Sequence, residues 1–462
     1  MTEDDDPTDR ERNRLSARAV RYARVGAGMG GVAARLAGAR LAGAGRDRGR
    51  EGEMLAAALG GLKGPLMKVA QLLSTIPDAL PAEYASALAT LQSNAPPMGP
   101  AFVRRRMMAE LGPDWRSRFA AFDPTPAAAA SLGQVHRAES LDGRKLAVKL
   151  QYPDMRSAVE ADLAQLRIIM GVQRRMDPSI DTSEILKEIG ARVREELDYR
   201  REARHAALYA TMLAGEPMVR IPGTWPELST GRLLTLDWLD GQPILAFKAA
   251  APEVRNRLAT AMFRAWWHPF AHDGVIHGDP HLGNYTVFVE AGAAAGINLL
   301  DYGCVRIFPA RFVAGVVALY EGLLHDDREK IVGAYESWGF RGLSQALIDT
   351  LNVWARFIYG PMLSDRVRTL ADGTRPGEYG RREAFRVHQA LRQHGPVTVP
   401  REFVFMDRAA VGLGSVFLHL GAELNFHRLF EAEIAGFAEA EVAARQAAAL
   451  AAAGLAPPST EE

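Results

Sequence analysis

The residues that could do chemistry are concentrated in the stretch from His277 to Asn284, which reads HGDPHLGN, and in the Asp301-Tyr-Gly triplet that follows it. An aspartate and an asparagine spaced D-x-x-x-x-N, with a second aspartate before a glycine, form an arrangement used for phosphoryl transfer. We expect Asp279 to orient or deprotonate an attacking oxygen, and Asn284 and Asp301 to hold magnesium ions against nucleotide phosphates. Magnesium fits because it takes few protein oxygens and keeps phosphate oxygens as further ligands. A Gly/Pro-rich turn before a buried strand would explain each piece separately, but not their order.

Upstream of both motifs, residues Arg144 to Gln151 alternate in the manner of a β-strand. Leu146, Val148 and Leu150 share one face of this strand, and Lys149 lies on the other face. This is the position expected for the strand lysine that contacts the α- and β-phosphates of a nucleotide. The plain alternative is an edge-strand lysine that only aids solubility. That alternative does not explain why the lysine precedes both aspartate motifs, which is the order in which protein kinases carry these residues.

An alanine-rich stretch lies one strand before Lys149, where a protein kinase has a glycine-rich loop over the phosphates. Alanine restricts positive φ angles and places a methyl group where the phosphates approach. By itself the run is typical of a helix, but its position predicts a substitute nucleotide loop that binds phosphate differently, with Gly133 as its flexible point. The residues assigned to this loop are Ala128, Ala129, Ala130, Ser131 and Gly133.

The stretch from Leu233 to Pro243, LLTLDWLDGQP, predicts a strand that leads into a turn and serves as the hinge of a nucleotide site. Backbone groups near Asp237 and Leu239 are expected to hydrogen-bond the adenine edge, and the Leu239 side chain to pack near the adenine face.

Taken together, these motifs resemble the UbiB/AarF atypical kinases, which include the coenzyme Q8-type proteins. The similarity runs from about Gly60 to about Phe430 and comprises six motifs in the order of that family: KVAQ, AAASLGQVH, AVKLQYP, ELDYRREA, HGDPHLGN and DYG. The resemblance implies an α+β, bilobal protein-kinase-like fold with an N-terminal helical extension carrying a Lys-x-(Gly/Ala)-Gln motif. It also implies ATP and Mg²⁺ as cofactors and a role in prenylquinone or other isoprenoid lipid metabolism.

The resemblance assigns roles to residues around the ELDYRREA motif. Glu196 would pair with Lys149 and hold it against the phosphates, and Asp198 and Glu202 would face the nucleotide cleft. Apolar residues recurring at helical spacing predict one long charged helix from Thr182 to Leu213 around these acids.

Lys68 and Gln71 share one helix face because they lie three residues apart. The resemblance places that face over the active site, where the lysine would block a protein substrate and restrain autophosphorylation. An amphipathic helix with a polar outer face is what the residues alone would indicate. Ala70 stands where the family has glycine, and its added methyl group is expected to loosen the packing of this helix on the nucleotide lobe. In the catalytic loop, Gly278 replaces the arginine of ordinary protein kinases, so we expect no receptor for a phosphorylated activation loop.

Composition agrees with two kinase lobes plus an extension in a chain of 462 residues, of which 48% are hydrophobic. Lys+Arg and Asp+Glu balance at 55 each, so the whole chain lacks the excess of positive charge that is typical of nucleic-acid-binding proteins. The single cysteine, Cys304, excludes an intrachain disulfide, suits a reducing cytoplasm and is expected to be a small packing residue.

The sequence divides into five segments. Interspersed arginines in the first segment exclude a transmembrane span, and they fit either attachment to an anionic membrane surface or a flexible Gly/Ala-rich linker. We therefore expect a cytoplasmic protein, either soluble or peripheral at a membrane. The segments are a flexible or membrane-surface part (1–50), a helical extension with Lys68 and Gln71 (51–118), a nucleotide-binding lobe (119–240), a helical lobe with the catalytic loop (241–440) and a tail (441–462).

A zinc site is a competing interpretation of the histidines near the catalytic loop. His268 and His272 have the i,i+4 spacing of helical zinc ligands. However, neither has a neighbouring glutamate that would act as the base of a metalloprotease, and Pro269 is expected to disturb the turn. His277 and His281 are accounted for by the catalytic loop, so the sequence disfavours zinc.

Three classes of function remain. The first is an ATP-dependent enzyme, an ATPase or a small-molecule or lipid kinase, working with quinone-biosynthesis proteins at a membrane. The second is a nucleotide-binding pseudokinase scaffold, which the intact set of Lys149, Glu196, Asp279, Asn284 and Asp301 opposes. The third is an aminoglycoside-type phosphotransferase, which the Lys68 helix and the AAAS loop oppose. The sequence favours the first class and leaves open whether the phosphoryl acceptor is water, a lipid or a small molecule.

Overall fold

The chain divides into two compact units. The first comprises the chain up to Leu197 together with Thr230–Leu233, and the second comprises Asp198–Ser229 and the chain from Leu234 onward. The sequence predicts the end of the nucleotide-binding lobe at residue 240. This computed structural model describes residues 99–130, 132–153, 155–160, 163–164, 167, 190–370 and 401–458. Lys68, Ala70, Gln71 and Ser131, and with them the N-terminal segment and most of the helical extension, lie outside the described residues.

The first described element of the first unit is helix α1, Pro100–Leu111. Proline at the first helical position suits a helix start because its missing N–H has no partner there in any case. Val103, Met107 and Leu111 recur one turn apart and are buried. Gly112 follows with φ 88°, a left-handed conformation that ends the helix.

An antiparallel sheet makes up most of the rest of the first unit. Strand β2 pairs with β1 on one side and β3 on the other, and the backbone N–H of Gln151 donates to the carbonyl of Arg232 at 3.1 Å. Glu110 of α1 holds the segment that contains Arg232 in place. Its carboxylate accepts hydrogen bonds from Thr230 Oγ1 at 2.6 Å and from Arg232 Nε at 2.9 Å. The strands are β1, Ala121–Ala130; β2, Gly133–Glu139; and β3, Lys145–Gln151.

Strand β3 confirms the predicted alternation around Lys149. Leu146, Val148 and Leu150 are fully buried, and Lys149 between them is half-buried. Gln151 departs from the pattern and is buried, because its side-chain amide donates to the carbonyl of Leu197 at 3.1 Å.

The single long helix predicted from Thr182 to Leu213 is wrong. Residues 190–195 are helical, the chain then leaves the helix, and a new helix, α2, runs from Tyr199 to Met212. Asp198 separates the two with extended backbone angles, and its carboxylate accepts hydrogen bonds from the N–H groups of Arg200 and Arg201. A side chain that caps the free amides of a new helix explains why the apolar periodicity does not carry one helix through this point.

The second unit packs helices around two small sheets. A four-stranded sheet has the order β4-β9-β8-β6, and β7 pairs antiparallel with β10. Strand β5 is the strand predicted for the hinge. The strands are β4, Val219–Arg220; β5, Leu233–Asp237; β6, Gln242–Pro243; β7, Val275–His277; β8, Tyr285–Glu290; β9, Ala293–Leu299; and β10, Val305–Ile307.

The longest helix of this unit, α3, runs from Pro252 to Asp273 and is lined on its inner side by large apolar groups, including Phe263, Trp266 and Phe270. Among the described helices, none combines the length and apolarity needed to cross a bilayer. The helices after α3 are α4, Ala310–Leu324; α5, Arg328–Ser337; α6, Gln345–Tyr359; α7, Arg401–Leu420; α8, Phe426–Ile434; and α9, Glu439–Ala452.

The C-terminal segment from residue 441 was expected to hold an alanine-rich helix end from Ala443 to Ala453 before a loose tail, and helix α9 confirms that helix. Val442 and Leu450 are buried, and the Gln446 side chain donates to the carbonyls of Asp273 and Phe308 at 2.7 and 2.8 Å. Gln446 thereby caps the end of α3, where Gly274 has φ 65°. The many alanines of α9 have small side chains, which allow this helix to pack closely against its neighbours.

Candidate active site

The HGDPHLGN segment lies between strands β7 and β8, and His277 connects it to the second aspartate motif. The His277 Nε2–H donates to the main-chain carbonyl of Asp301 at 2.6 Å, and Nδ1 accepts the backbone N–H of Asp279 at 3.2 Å. One tautomer, with the proton on Nε2, satisfies both bonds. The fully buried ring therefore fixes the backbone of Asp279 and the backbone of Asp301 together.

Gly278 allows a close approach of Cys304. The Gly278 N–H donates to the Cys304 carbonyl at 2.6 Å. A Cβ at position 278 would lie 3.0 Å from Cys304 Sγ and 3.1 Å from its carbonyl oxygen. A side chain at position 278, such as the arginine of ordinary protein kinases, would therefore require Cys304 to shift by a few tenths of an ångström. The buried Cys304 is the packing residue that the sequence predicted.

Asp279 and Asn284 lie at the two ends of a tightly held loop. Asp279 is 5% exposed, and Asn284 Nδ2 donates to its main-chain carbonyl at 3.0 Å. Two aromatic side chains hold neighbouring carbonyls: Trp266 Nε1 donates to His277 at 2.8 Å, and the Tyr285 hydroxyl donates to Pro280 at 3.1 Å. The loop backbone is thus held by side chains from the core on either side of the reactive aspartate.

Asp301 begins a turn in which its Oδ1 accepts the N–H of Gly303 at 3.1 Å. The next residue, Tyr302, is fully buried, and its hydroxyl donates to the Leu299 carbonyl at 2.7 Å. Burial raises the pKa of the Tyr302 phenol well above its ordinary value, and Tyr209, Asp301 and Glu202 raise it further. The carboxylates of Asp301 and Glu202 therefore both lie near this phenol.

His205 of α2 holds the same turn from the opposite side. Its Nδ1–H donates to the Tyr302 carbonyl at 3.1 Å, while its Nε2 faces Arg201 Nε at 3.5 Å. His205 and Glu202 are both buried, and they lie on the helix that Asp198 caps. Glu202 and Asp301 thus both lie near Tyr302, the Asp198 carboxylate caps α2, and the predicted position of Asp198 and Glu202 facing the nucleotide cleft stays a prediction.

The residues present fit a magnesium ion. The Asn284 amide is oriented by its nitrogen on the Asp279 carbonyl, and within the described part of the chain no donor is hydrogen-bonded to its Oδ1. That amide oxygen and the Asp301 carboxylate are hard oxygen ligands of the kind that magnesium binds.

In the first unit, the alanine loop is a β-hairpin rather than a loop with one flexible residue. Ala128, Ala129 and Ala130 end β1, and Ala130 pairs with Gly133. Gly133 was expected to be flexible, but it is the buried first residue of β2 and also pairs with Gln151. A residue paired on both sides cannot act as the hinge of the hairpin.

His136 stabilises this hairpin from inside. Its Nδ1–H donates to the Asp123 carbonyl at 2.9 Å, and its Nε2 accepts from the Gln134 amide at 2.9 Å. The ring also stacks on Phe122 at 5.3 Å between centroids. On the neighbouring strand, Lys149 is half-buried opposite Val135, and Glu196 at the end of the helical residues 190–195 is 8% exposed.

At the predicted hinge, Asp237 makes several hydrogen bonds within the chain. Its backbone N–H donates to the Gly223 carbonyl at 2.9 Å, and its carboxylate accepts from Gly223 N–H at 3.1 Å and Trp225 Nε1 at 3.0 Å. The N–H of Asp237 is therefore engaged within the chain, and the contact predicted between the adenine edge and backbone groups near Asp237 and Leu239 stays a prediction. Leu239 is half-buried, and its predicted contact with adenine stays a prediction.

Comparison with known proteins decides the family. The model of the ABC1 atypical kinase-like domain matches residues 90–335, more than half of the chain. The chain belongs to the ABC1 atypical kinase-like family. The matched range contains Lys149, Glu196, Asp279, Asn284 and Asp301, and the UbiB/AarF resemblance is confirmed.

Two curated relatives of the ABC1 family illustrate the match. The atypical kinase COQ8 of Saccharomyces cerevisiae mitochondria is 30% identical over 60% of this chain and 54% of its own length. AarF domain-containing protein kinase 1 of Xenopus laevis is 30% identical over 58% of this chain and 52% of its own length. The chain therefore spans about half the length of these relatives.

A solved structure supports the fold. The complex of Rv3197 with erythromycin from Mycobacterium tuberculosis has a TM-score of 0.57 and 27% identity, and the match covers 83% of this chain and 96% of that one. With the mixed helix and sheet composition described above, it confirms the α+β, bilobal protein-kinase-like fold of an ABC1-family member.

Several residues of this ABC1 domain were missed by sequence reasoning: His205, Trp266, Tyr285 and Tyr302. Each donates one hydrogen bond to a main-chain carbonyl in or beside the two aspartate motifs. Their signal in the sequence is weak, since a tryptophan or tyrosine on an apolar face reads as core packing. Only the DYG motif itself pointed toward Tyr302.

Proposed function

We propose that this chain is an ATP-dependent enzyme of the UbiB type, either an ATPase or a kinase of lipids or small molecules. Its proposed role is to support prenylquinone (ubiquinone or menaquinone) or other isoprenoid lipid metabolism. The observation that carries this proposal is the buried His277 ring, which binds the Asp279 backbone and the Asp301 carbonyl at once. A scaffold that had lost catalysis would have no need to keep the two aspartate-bearing loops in a fixed position relative to each other.

The residues have distinct proposed roles. Asn284 and Asp301 would hold Mg²⁺, which when bound neutralises charge on nucleotide phosphates. Asp279 would accept a hydrogen bond from the attacking water or hydroxyl and so orient it. In the first unit, Lys149 would bind the α- and β-phosphates and Glu196 would orient Lys149, as the motif order in the family suggests.

The proposed acceptor is a lipid or small molecule, or water, rather than a protein. Lys68 and Gln71 would block protein substrates, which is the role that the family resemblance implies for them. The structurally similar protein Rv3197 was solved in complex with erythromycin, which is consistent with a site in this family that binds a bulky amphipathic molecule. We further propose that the arginine-rich segment before residue 50 brings the enzyme to an anionic membrane surface in the cytoplasm, near quinone-biosynthesis proteins.

The test is ATP hydrolysis by the purified full chain, measured with and without anionic liposomes and phenolic quinone precursors. Asp301→Asn should abolish turnover, whereas Asp349→Asn, an exposed aspartate on α6, should leave it unchanged. Absence of nucleotide binding by the unmodified chain would overturn the enzyme proposal. Nucleotide binding without turnover under every condition would favour a pseudokinase scaffold, and equal turnover by Asp301→Asn would overturn the metal assignment.

A further inference from the structure

Outside the proposed ATP site, two histidines near the end of α3 meet a glutamate from α8. His268 Nδ1 lies 2.9 Å from Glu433 Oε2, and His272 Nε2 lies 3.5 Å from the same oxygen. The imidazole centroids are 4.2 Å apart. One ligand atom from each of the three residues lies within 4.8 Å of the others.

The objections raised by the sequence do not hold in the folded chain. Pro269 lies inside α3, but the helix continues to Asp273. Proline removes one helical hydrogen bond, yet His272 still lies one turn beyond His268 on the same face. The missing neighbouring glutamate argues only against a metalloprotease base, and Glu433, more than a hundred and fifty residues away in the sequence, supplies a carboxylate that can act as a third ligand.

We propose that His268, His272 and Glu433 form a site for a divalent transition-metal ion of the Zn²⁺ class, with water completing the coordination. Two imidazoles and one carboxylate are a ligand set that zinc uses where one position stays open. A tetrahedral ion about 2.0–2.1 Å from each ligand atom separates those atoms by roughly 3.3 Å, so only small side-chain rotations are needed. Magnesium would be disfavoured because it selects oxygen ligands.

Access and charge also suit a cation. The Glu433 side chain is 9% exposed, whereas those of His268 and His272 are 37% and 30% exposed, so the ion can enter from the histidine side. The C-terminal end of a helix carries partial negative charge. The buried Asp273 adds a second carboxylate near both histidines, and Arg445 is drawn toward the helix end by a hydrogen bond to the His272 carbonyl at 3.0 Å.

The ion would link two elements that are distant in the chain. Helix α3 leads through Gly274 into β7, whose last residue is His277. A metal bound at the end of α3 would therefore stabilise the helix from which the catalytic loop departs, without touching Asn284 or Asp301. The site is a place of metal-dependent stabilisation, separate from the chemistry proposed above.

The experiment uses the full chain, stripped with a chelator and free of nucleotide, with ZnCl₂ as the probe. Binding is measured by titration against a chromophoric chelator, and Co²⁺ substitution reports the ligand field by its visible absorption. We expect one tight equivalent of zinc per chain and a higher melting temperature with zinc. His268→Gln and Glu433→Gln should each weaken zinc binding by at least about 100-fold. Mutating a residue that only hydrogen-bonds to a metal ligand already lowers metal affinity by about 10- to 100-fold, and these two variants change the ligands themselves.

Two controls separate this site from others. His325→Gln, at an exposed histidine beyond α4, should bind zinc like the unmodified chain, and so should Asp301→Asn. Circular dichroism of each zinc-free variant checks that it is folded. No stoichiometric zinc binding, or equal binding by His268→Gln and Glu433→Gln, would show that the three residues form only an ion pair and would overturn the proposal.

Discussion

The imidazole Nε2 of His277 lies 2.6 Å from the main-chain carbonyl oxygen of Asp301. A side chain of one motif thus binds the backbone of the other, and its second nitrogen accepts from Asp279. The separation of Asp279 and Asp301 is therefore set by one ring, which makes His277 a positioning residue for both.

We expect His277→Phe to lower ATP turnover by at least tenfold and to cost about 1–3 kcal/mol of stability, because buried hydrogen-bonding groups lose their partner. His277→Gln keeps one amide donor and should lose less of both. The measurements are steady-state hydrolysis and denaturant unfolding. Equal turnover by the Phe variant and the unmodified chain would contradict the positioning role.

His205 should matter to the DYG turn even though it touches no proposed ligand. His205→Leu removes the donor to the Tyr302 carbonyl, so we expect weaker binding of Mg²⁺, seen as a higher Mg²⁺ concentration for half-maximal turnover. A Mg²⁺ titration at saturating ATP measures this. If only stability fell while the Mg²⁺ requirement stayed constant, the role of His205 would be packing alone.

Asp198 offers a test between capping and nucleotide binding. Its carboxylate caps α2 through the N–H groups of Arg200 and Arg201. Asp198→Ala should cost about 1 kcal/mol, whereas Asp198→Asn keeps a capping oxygen and should cost only a few tenths. Unfolding by denaturant gives these values, and ATP affinity is measured alongside. A large loss of ATP affinity in the Asn variant would assign the charge itself to the nucleotide site.

The hairpin of the first unit should weaken in mild acid. Burial lowers the pKa of the His136 imidazole below its ordinary value of 6.5, although the Asp123 carbonyl opposes the shift. The unfolded chain therefore takes up the proton first, so stability falls as pH drops through about 6.5 until the folded-state pKa is passed. Hydrogen exchange of β2 amides between about pH 7 and pH 5 measures it, with intrinsic exchange rates corrected for pH. His136→Gln should flatten this dependence, while His325→Gln should not.

The elements with local signals were predicted well. Helix α1 has proline at its start, glycine at its end and an apolar face between, and β3 shows its alternation directly. The end of the helix at residue 195 was missed, because the apolar spacing through Leu197 continues the helical period while the capping Asp198 competes with it. Capping residues decide such boundaries, and Asp198 was treated only as a site residue.

The contacts that complete the sites depend on long-range partners. Glu433 reaches His268, and His205 reaches the carbonyl of Tyr302, across separations that no periodic pattern encodes. The motifs predicted the reactive residues Asp279, Asn284 and Asp301, but not the side chains that hold the backbone around them. Those supports become visible only when tertiary packing brings distant segments together.

The contact between Gly278 and Cys304 bears on how this protein can evolve. A glycine codon becomes an arginine codon by a single base change, so the arginine found in switchable kinases is one mutational step away. In this chain that step would bring a side chain into tight contact with Cys304, and a substitution at position 304 could remove the Sγ contact but not the contact with the carbonyl oxygen. A lineage that gained control by activation-loop phosphorylation would therefore also need a small shift of the main chain around Cys304.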